Sequence, residues 1–339
     1  MEFATVNKGK VGIAFIGVGD ISELHAHAIR KCDHARLIGI WNYKWVDVSA
    51  GGHVIDVLER SSKYACEVYE ELDGLLGDER VHAVYILTPL DTHYEYAQKV
   101  IHAGKHVLVE KPVGRTVEEI IQLENLAVSK GVLCVPGHNY IYEPQIKRMH
   151  DMIVNGSIGK LVQLSIYYNI QHGPEVTKNL PGIIRQIMTH HAYICLYLTG
   201  EPPRTLSAMK ASIDNGKVEN ENVAMAMMQM ASGAMSLLQA SFANDDHSAE
   251  PWSFYIKVLG TKGSARYSYN DFVHNEKHTI HSHTYQSFPY TIENLTEHFV
   301  TECILMQRQP LSTLQDAATC VKILDAMENS INRGAHINL

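Results

Sequence analysis

The residues Val107-Leu-Val-Glu110-Lys111-Pro112 run an apolar, β-branched tract straight into an acid, a base and a proline. A helical pattern headed by Thr116 follows, so the tract reads as a buried strand that delivers a lysine to its carboxyl end. That end is where open α/β sheets bind their ligands. An unpaired ammonium is costly to take out of water, and a lysine pushed toward neutrality is a competent proton acceptor near neutral pH. The plainer alternative is a lysine paired with Glu110 or solvated in a loop, and the tripeptide alone leaves both open.

Histidine is the other chemically active type in excess, with 20 in the chain. His278, His281 and His283 suggest a metal cluster. On a strand, however, His281 and His283 face one side and His278 the other, and no carboxylate or cysteine lies close in sequence. No metal is expected. The tyrosines Tyr140, Tyr142, Tyr167 and Tyr168 are candidates for stacking on a sugar ring, or else the edges of an amphipathic core.

The elements that must position these groups begin with Lys10-Val-Gly-Ile-Ala-Phe-Ile16, a buried strand pattern. It ends in Gly17-Val18-Gly19-Asp20-Ile21-Ser22, a dinucleotide-binding turn whose third glycine is replaced by serine, and a helix is expected over 21–31. The two glycines permit a tight turn and close approach of backbone N–H groups to a pyrophosphate, while the third position need only be small. A second strand, 35–41, ends in Asn42, where an acid usually bonds the adenosine ribose of NAD. Asn42 can still bond the diol without repelling a 2′-phosphate, and Lys44 can attract one. Both NAD and NADP therefore remain open, with NAD slightly favoured. A helix is expected over 54–61, a short strand near Glu67 and a central strand over 81–87 that closes on Thr88-Pro89. Asp91 or Thr92 should cap a helix reaching Ala103, His106–Val109 is the next strand, and a helix over 118–130 ends at Gly131 before a last strand over 132–137. The alternation is that of a doubly wound parallel sheet, and the chain is of the α/β class. From about His138 the pattern changes to one helix (144–154) and β-type alternation in 161–170, 222–231, 234–242, 252–259 and 263–269, closed by helices over 291–307 and 313–333.

Composition sets the limits. A chain of 339 residues and 38.0 kDa calls for two domains, and 45% hydrophobic with 19% charged residues is ordinary for a globular protein. A formal net charge of -8 and a pI near 6.2 argue against a nucleic-acid partner. No apolar run suits a membrane span and no signal peptide is evident at the start, so a cytoplasmic location is expected. Six scattered cysteines fit small buried side chains better than disulfides or a zinc knuckle.

Together, Gly17-Val-Gly19, Thr88-Pro89 with His93, Ala103-Gly-Lys-His-Val-Leu-Val-Glu110-Lys111-Pro112, Asn155-Gly-Ser-Ile-Gly-Lys160 and Thr313-Leu-Gln-Asp-Ala317 resemble the Gfo/Idh/MocA family of sugar and cyclitol oxidoreductases over essentially the whole chain. The resemblance implies a Rossmann domain over 1–137, a substrate-binding and oligomerisation domain with a large, mostly antiparallel sheet over 138–310, and a helical segment over 311–339 returning toward the Rossmann domain. It implies a bound nicotinamide cofactor along Gly17, Val18, Gly19, Asp20, Ile21, Asn42, Thr88, Pro89, His93, Glu110 and Lys111, with Lys111 as the active-site lysine. A sugar or cyclitol would meet Lys111, Tyr140, Gln186, His190 and His191, and the second domain would form homodimers or homotetramers through its sheet. Within Arg185-Gln-Ile-Met-Thr-His190-His191, His190 matches the family's histidine and Gln186 its acid. Residues four apart share one helix face, but an amide cannot ionise, so His190 carries more of the proton transfer or the activity has changed. A redox-assisted glycosidase and a cofactor-binding regulator without catalysis are the other readings of the same residues.

Overall fold

Val11–Ile16 forms strand β1, every residue of it buried, and the rest of the first sheet is laid down on either side of it. The computed structural model describes residues 9–49, 52–214, 216, 219–244, 253–268 and 287–339, together with 272–274 and 279–281, for which, as for 287, only the backbone is considered. Helix α1 (Ile21–Lys31) and β2 (Ala35–Trp41) follow, then a small hairpin of β3 (Val46–Val48) and β4 (Val54–Asp56). The helix expected to begin at Val54 starts three residues later as α2 (Val57–Tyr64), because the Asp56 carboxylate accepts from the N–H groups of Leu58 and Glu59 at 2.8 and 3.1 Å. β5 (Glu67–Val68), α3 (Leu72–Gly77), β6 (Ala83–Ile86), α4 (His93–His102), β7 (His106–Val109), α5 (Val117–Lys130) and β8 (Cys134–Pro136) complete the series. The sheet is wholly parallel, in the order β5-β2-β1-β6-β7-β8. That order reverses direction at β1, which opens a crevice at the carboxyl ends of β1 and β6. The expected Thr92 cap on α4 does not form. Its hydroxyl instead bonds Thr88 Oγ1 at 2.7 Å and the Pro89 carbonyl at 2.8 Å.

The second sheet is mixed, in the order β14-β13-β9-β12-β11-β10-β17. Its strands are β9 (Leu161–Asn169), β10 (Pro203–Ala211), β11 (Val223–Met230), β12 (Met235–Ser241), β13 (Ser253–Gly260), β14 (Ser264–Ser268) and β17 (Ile337–Asn338), and only β9 and β12 pair in parallel. Two more short strands, β15 (Phe272–His274) and β16 (Thr279–His281), pair as a hairpin. Helices α6 (Pro144–Val154) and α8 (Thr189–Thr199) pack with each other, α8 against β9 and β12, and a short α7 (Pro174–Thr177) lies between β9 and α8 in sequence. One face of the sheet is core, built from Leu164, Ile166, Ala226, Leu238, Phe254 and Ile256. On the other face Met209, Met225, Met227 and Met235 are exposed, and the register places Met209 opposite Met225. β10 and β17 have no counterpart in the sequence reading. The outer half of β10 is exposed and shows no clean alternation, and β17 is two residues long.

Two compact units result, 1–142 with 289–318 and 143–288 with 319–339. The sequence places the first boundary at 137 and keeps residues up to 310 in the second domain. In the structure α9 (Ser287–Glu297) and the π turn Hisˍ298–Leu305 hold 289–318 to the first unit, with Phe299 against the Tyr85 ring at 5.9 Å and Glu293 bonded to Lys31 at 3.0 Å. α10 (Leu314–Arg333) crosses the division.

Gly17 has room for no side chain. Its φ is +92°, and a Cβ there would lie 2.7 Å from Thr88 Cγ2 and 2.9 Å from the Leu87 carbonyl carbon. Gly17→Ala should destabilise the protein by more than about 1 kcal/mol in urea unfolding, since both backbone strain and a clash oppose it.

Candidate active site

Register brings the candidate residues of the first unit to one edge. Ile16 lies opposite both Trp41 and Ile86, Ile86 opposite Val109, and Val109 opposite Pro136. The residues that follow, Gly17, Asn42, Leu87, Glu110 and Gly137, therefore leave the sheet side by side, with Thr88 one residue further on. Main-chain bonds continue across the row, from Gly17 N–H to the Trp41 carbonyl at 2.9 Å and from Glu110 N–H to the Ile86 carbonyl at 3.0 Å.

The turn between β1 and α1 fits a pyrophosphate. A Cβ built on Gly19 meets nothing within 4 Å, and α1 starts without a side-chain cap on its first N–H groups. The Ser22 and Glu23 N–H groups turn back to the Gly19 and Asp20 carbonyls at 3.0 and 3.3 Å, so what suits an anion is the open space at Gly19 beside a helix start. Ser22, in the place of the third glycine, is wholly buried. Its hydroxyl donates to the Gly19 carbonyl at 2.6 Å and lies 2.8 Å from the Tyr64 hydroxyl, so it fixes the turn as well as being small. Val18 is buried and has only its backbone to offer a ligand, Ile21 is half-buried, and Asp20 lies 3.3 Å from His53 Nδ1. Asn42 donates its amide to the Lys44 carbonyl at 2.7 Å, and Lys44 Nζ lies 3.4 Å from Asp47.

Five ionisable side chains gather around the corner after β7. Glu110 Oε1 is 3.0 Å from His25 Nε2, and Glu110 Oε2 accepts the Lys111 N–H at 3.1 Å. Burial works against the Glu110 anion, but the bonds from His25 and the Lys111 charge outweigh it and leave the carboxyl below its usual range. Burial pushes the Lys111 ammonium down, and the Glu110 charge opposes this in part. His138, buried beside that charge, is pushed well below the usual histidine range. His93 is 2% exposed, with Nδ1 2.7 Å from the Pro112 carbonyl and Nε2 2.7 Å from the Thr88 carbonyl. It ties two turns together where the family resemblance has it lining the cofactor. Burial lowers its pKa, while both carbonyls favour a ring proton. His25 has no place in the sequence reading. The signal was available in α1, where His25 shares the buried face with Ser22 and Ile29 and is a polar residue on an apolar stripe.

In the second unit Gln186 and His190 come from consecutive pieces of helix. Gln186 lies in a π turn, Ile184–Met188, and His190 in the first turn of α8. The widened turn is anchored at both sides. Glu221 Oε1 accepts the Ile184 N–H at 3.2 Å, while Arg185 bonds Glu328 at 2.7 and 2.8 Å and Asp325 at 2.6 Å. Arg185 is thereby committed to two carboxylates and is no anchor for a phosphorylated substrate. His191 is 0% exposed, its ring 6.1 Å from Phe254 and 6.3 Å from Tyr168, and neither nitrogen has a hydrogen-bond partner among the described residues. Burial takes its pKa down to about 3. The expected substrate contact by His191 is thus corrected, since it faces the sheet and the core. Tyr140 and Tyr142 are buried on the 3-10 turn Asn139–Tyr142 of the first unit, and Tyr142 bonds Ser312 Oγ at 2.8 Å. Tyr168 belongs to the core of β9 and Tyr167 to its open face.

Among the described residues no group of three or more His, Cys, Asp or Glu is arranged to hold a metal, and no helix is long and apolar enough to cross a membrane. His278 and His283 lie outside the described residues, and His281 is described by its backbone alone. All six cysteines are free thiols.

Comparison with known proteins follows the same division. The oxidoreductase family model with an NAD-binding Rossmann fold matches residues 11–138, and the model of the Gfo/Idh/MocA C-terminal domain matches 146–266. Inositol 2-dehydrogenase of Rhizobium meliloti (strain 1021) is 27% identical over 263 residues, 75% of this chain and 74% of that protein. 1,5-Anhydro-D-fructose reductase of Ensifer adhaerens is 28% identical over 232 residues, 64% of this chain and 68% of that protein. The crystal structure of scyllo-inositol dehydrogenase from Lactobacillus casei, with bound NAD(H) and scyllo-inositol, has a TM-score of 0.82 at 20% identity and covers 97% of this chain and 99% of its own. With both halves matched in order, this chain belongs to the Gfo/Idh/MocA family of oxidoreductases and carries that family's NAD-binding Rossmann domain.

Proposed function

We propose that the chain is an NAD(P)-dependent dehydrogenase acting on a secondary alcohol of a cyclitol or sugar, with Lys111 as the acid/base and His190 assisting. The observation that carries the reading is Lys111 itself, at the carboxyl edge of a dinucleotide-binding sheet, where burial moves it toward neutrality and Glu110 checks that movement. The nicotinamide, when bound, supplies the hydride acceptor. Gly17, Gly19 and the start of α1 hold the pyrophosphate, Asn42 the adenosine ribose, Thr88 and Pro89 the middle of the cofactor, and Glu110 the nicotinamide ribose. Lys111 takes the hydroxyl proton in oxidation and returns it in reduction. The second unit binds the substrate, with Gln186 orienting a hydroxyl and His190 bonding the reacting oxygen. Named relatives acting on inositol and 1,5-anhydro-D-fructose support this substrate class. NAD is favoured because Lys44, the cation closest in sequence to Asn42, is drawn toward Asp47.

The exposed methionine face of the second sheet supports self-association, for apolar area of this kind on an open sheet is costly in water. A homodimer or homotetramer forms through it. Replacing Met225 and Met227 together by glutamate should lower the mass measured by light scattering to that of the monomer, and an unchanged mass would remove this face from the assembly.

Titration should show binding of NAD more tightly than NADP, and failure of both at millimolar concentration would overturn the dehydrogenase reading. Scored by cofactor absorbance on scyllo-inositol, myo-inositol, D-apiose and 1,5-anhydro-D-fructose, Lys111→Ala should lose about two to four orders of magnitude in turnover while keeping cofactor affinity within a few fold. His190→Ala should lower kcat far more than Gln186→Ala, which should chiefly raise KM. Equal losses of kcat would show this division of labour to be wrong.

A further inference from the structure

We propose that His25 is a positioning residue for the reaction, a buried Nε2–H donor that keeps the Glu110 carboxylate in its anionic form beside Lys111. The inference rests on the reading of Lys111 as the acid/base. His25 is 0% exposed, with its ring edge-on to Tyr85 at 5.4 Å and its Nε2 3.0 Å from Glu110 Oε1. An ionised carboxylate has no proton to give, so Nε2 carries the hydrogen. The other ring nitrogen, Nδ1, is buried and has no hydrogen-bond partner among the described residues. A second proton there would have no acceptor, which is a costly arrangement in the interior. The geometry therefore selects the Nε2–H tautomer, in which His25 bonds the carboxylate without cancelling its charge.

Every ionisable group around the carboxylate fits this assignment. Lys111 binds Glu110 Oε2 through its main chain and adds its positive charge, so both carboxylate oxygens are fixed. His93, on α4, is committed to the Pro112 and Thr88 carbonyls, and burial and the Lys111 charge work against a proton on His138. The counter-charge for Lys111 in this corner is Glu110. In the direction of ketone reduction, the active form is the one with Glu110 ionised and Lys111 protonated. Two ionisations then bound the pH profile, Glu110 on the acid side and Lys111 on the basic side.

Removing the donor should raise the Glu110 ionisation and leave the other in place, because the lost bond destabilises the anion equally whether or not Lys111 carries its proton. For His25→Leu, the acid limb of kcat/KM in the reductive direction should move up by about one to two pH units, with the basic limb unchanged. His25→Gln places an amide N–H where Nε2 stood and should bring the limb back. These profiles are measured with NADH and the ketones of the same panel. A uniform fall in rate at every pH, with no shift and no rescue by glutamine, would mean that His25 only fills space and would overturn the proposal. Should His25→Leu not fold, ¹⁵N NMR of the intact wild-type protein decides alone: a neutral ring with its hydrogen on Nδ1 overturns it. Lys111→Ala separates the two claims. An active Lys111→Ala enzyme defeats the dehydrogenase mechanism, whereas an inactive one with an unmoved His25→Leu profile defeats only the role of His25.

Discussion

Two opposite charges, both half-buried at the end of one strand, set the terms for the first unit. Glu110 and Lys111 follow each other in sequence, so their proximity costs no chain entropy, but their desolvation has to be offset by bonds from elsewhere. α1 supplies His25 to the carboxylate, and the turn after β6 supplies the Thr88 carbonyl to His93, which also takes up the Pro112 carbonyl. Strand register does the rest. Because Ile16, Ile86 and Val109 stand in one row, these partners arrive at the same height on the sheet.

Much of this was legible in the residues. Apolar runs ending in glycine, threonine or an acid define parallel strands with ligand-facing ends, and α1, β2, β7 and α6 begin and end where periodicity and punctuation place them. What periodicity does not carry is side-chain direction within a buried face. His25 and His93 are polar residues whose partners are 85 and 19 positions away in sequence, and no local pattern announces such bonds. Local chemistry also wins over pattern at Asp56, which stops a strand and starts a helix, and at Thr92, whose hydroxyl finds Thr88 before it can cap.

The second unit is harder to read for a different reason. β9 pairs with β12 and β13, and β10 with β17, each far away in sequence, and an outer strand such as β10 packs too little of its length to show a two-residue period. The neighbouring histidines show what burial decides. Adjacent residues on a helix point about 100° apart, and of these two it is His191 that turns into the aromatic core of the sheet. Motif position favours His190 and leaves His191 as a substrate contact, and packing removes the second from that role.

Gln186 then acquires a physical meaning. Where the family resemblance leads one to expect an acid, a π turn held by Arg185 and Glu221 presents an amide. An amide donates and accepts without changing its charge, so it contributes orientation and leaves proton affinity to other groups. On the proposed mechanism the charge balance of the reaction rests on Glu110 and Lys111, and His25 bears on it through the carboxylate. His25 is suited to that task because its ring is fully buried with Nε2 3.0 Å from the carboxylate.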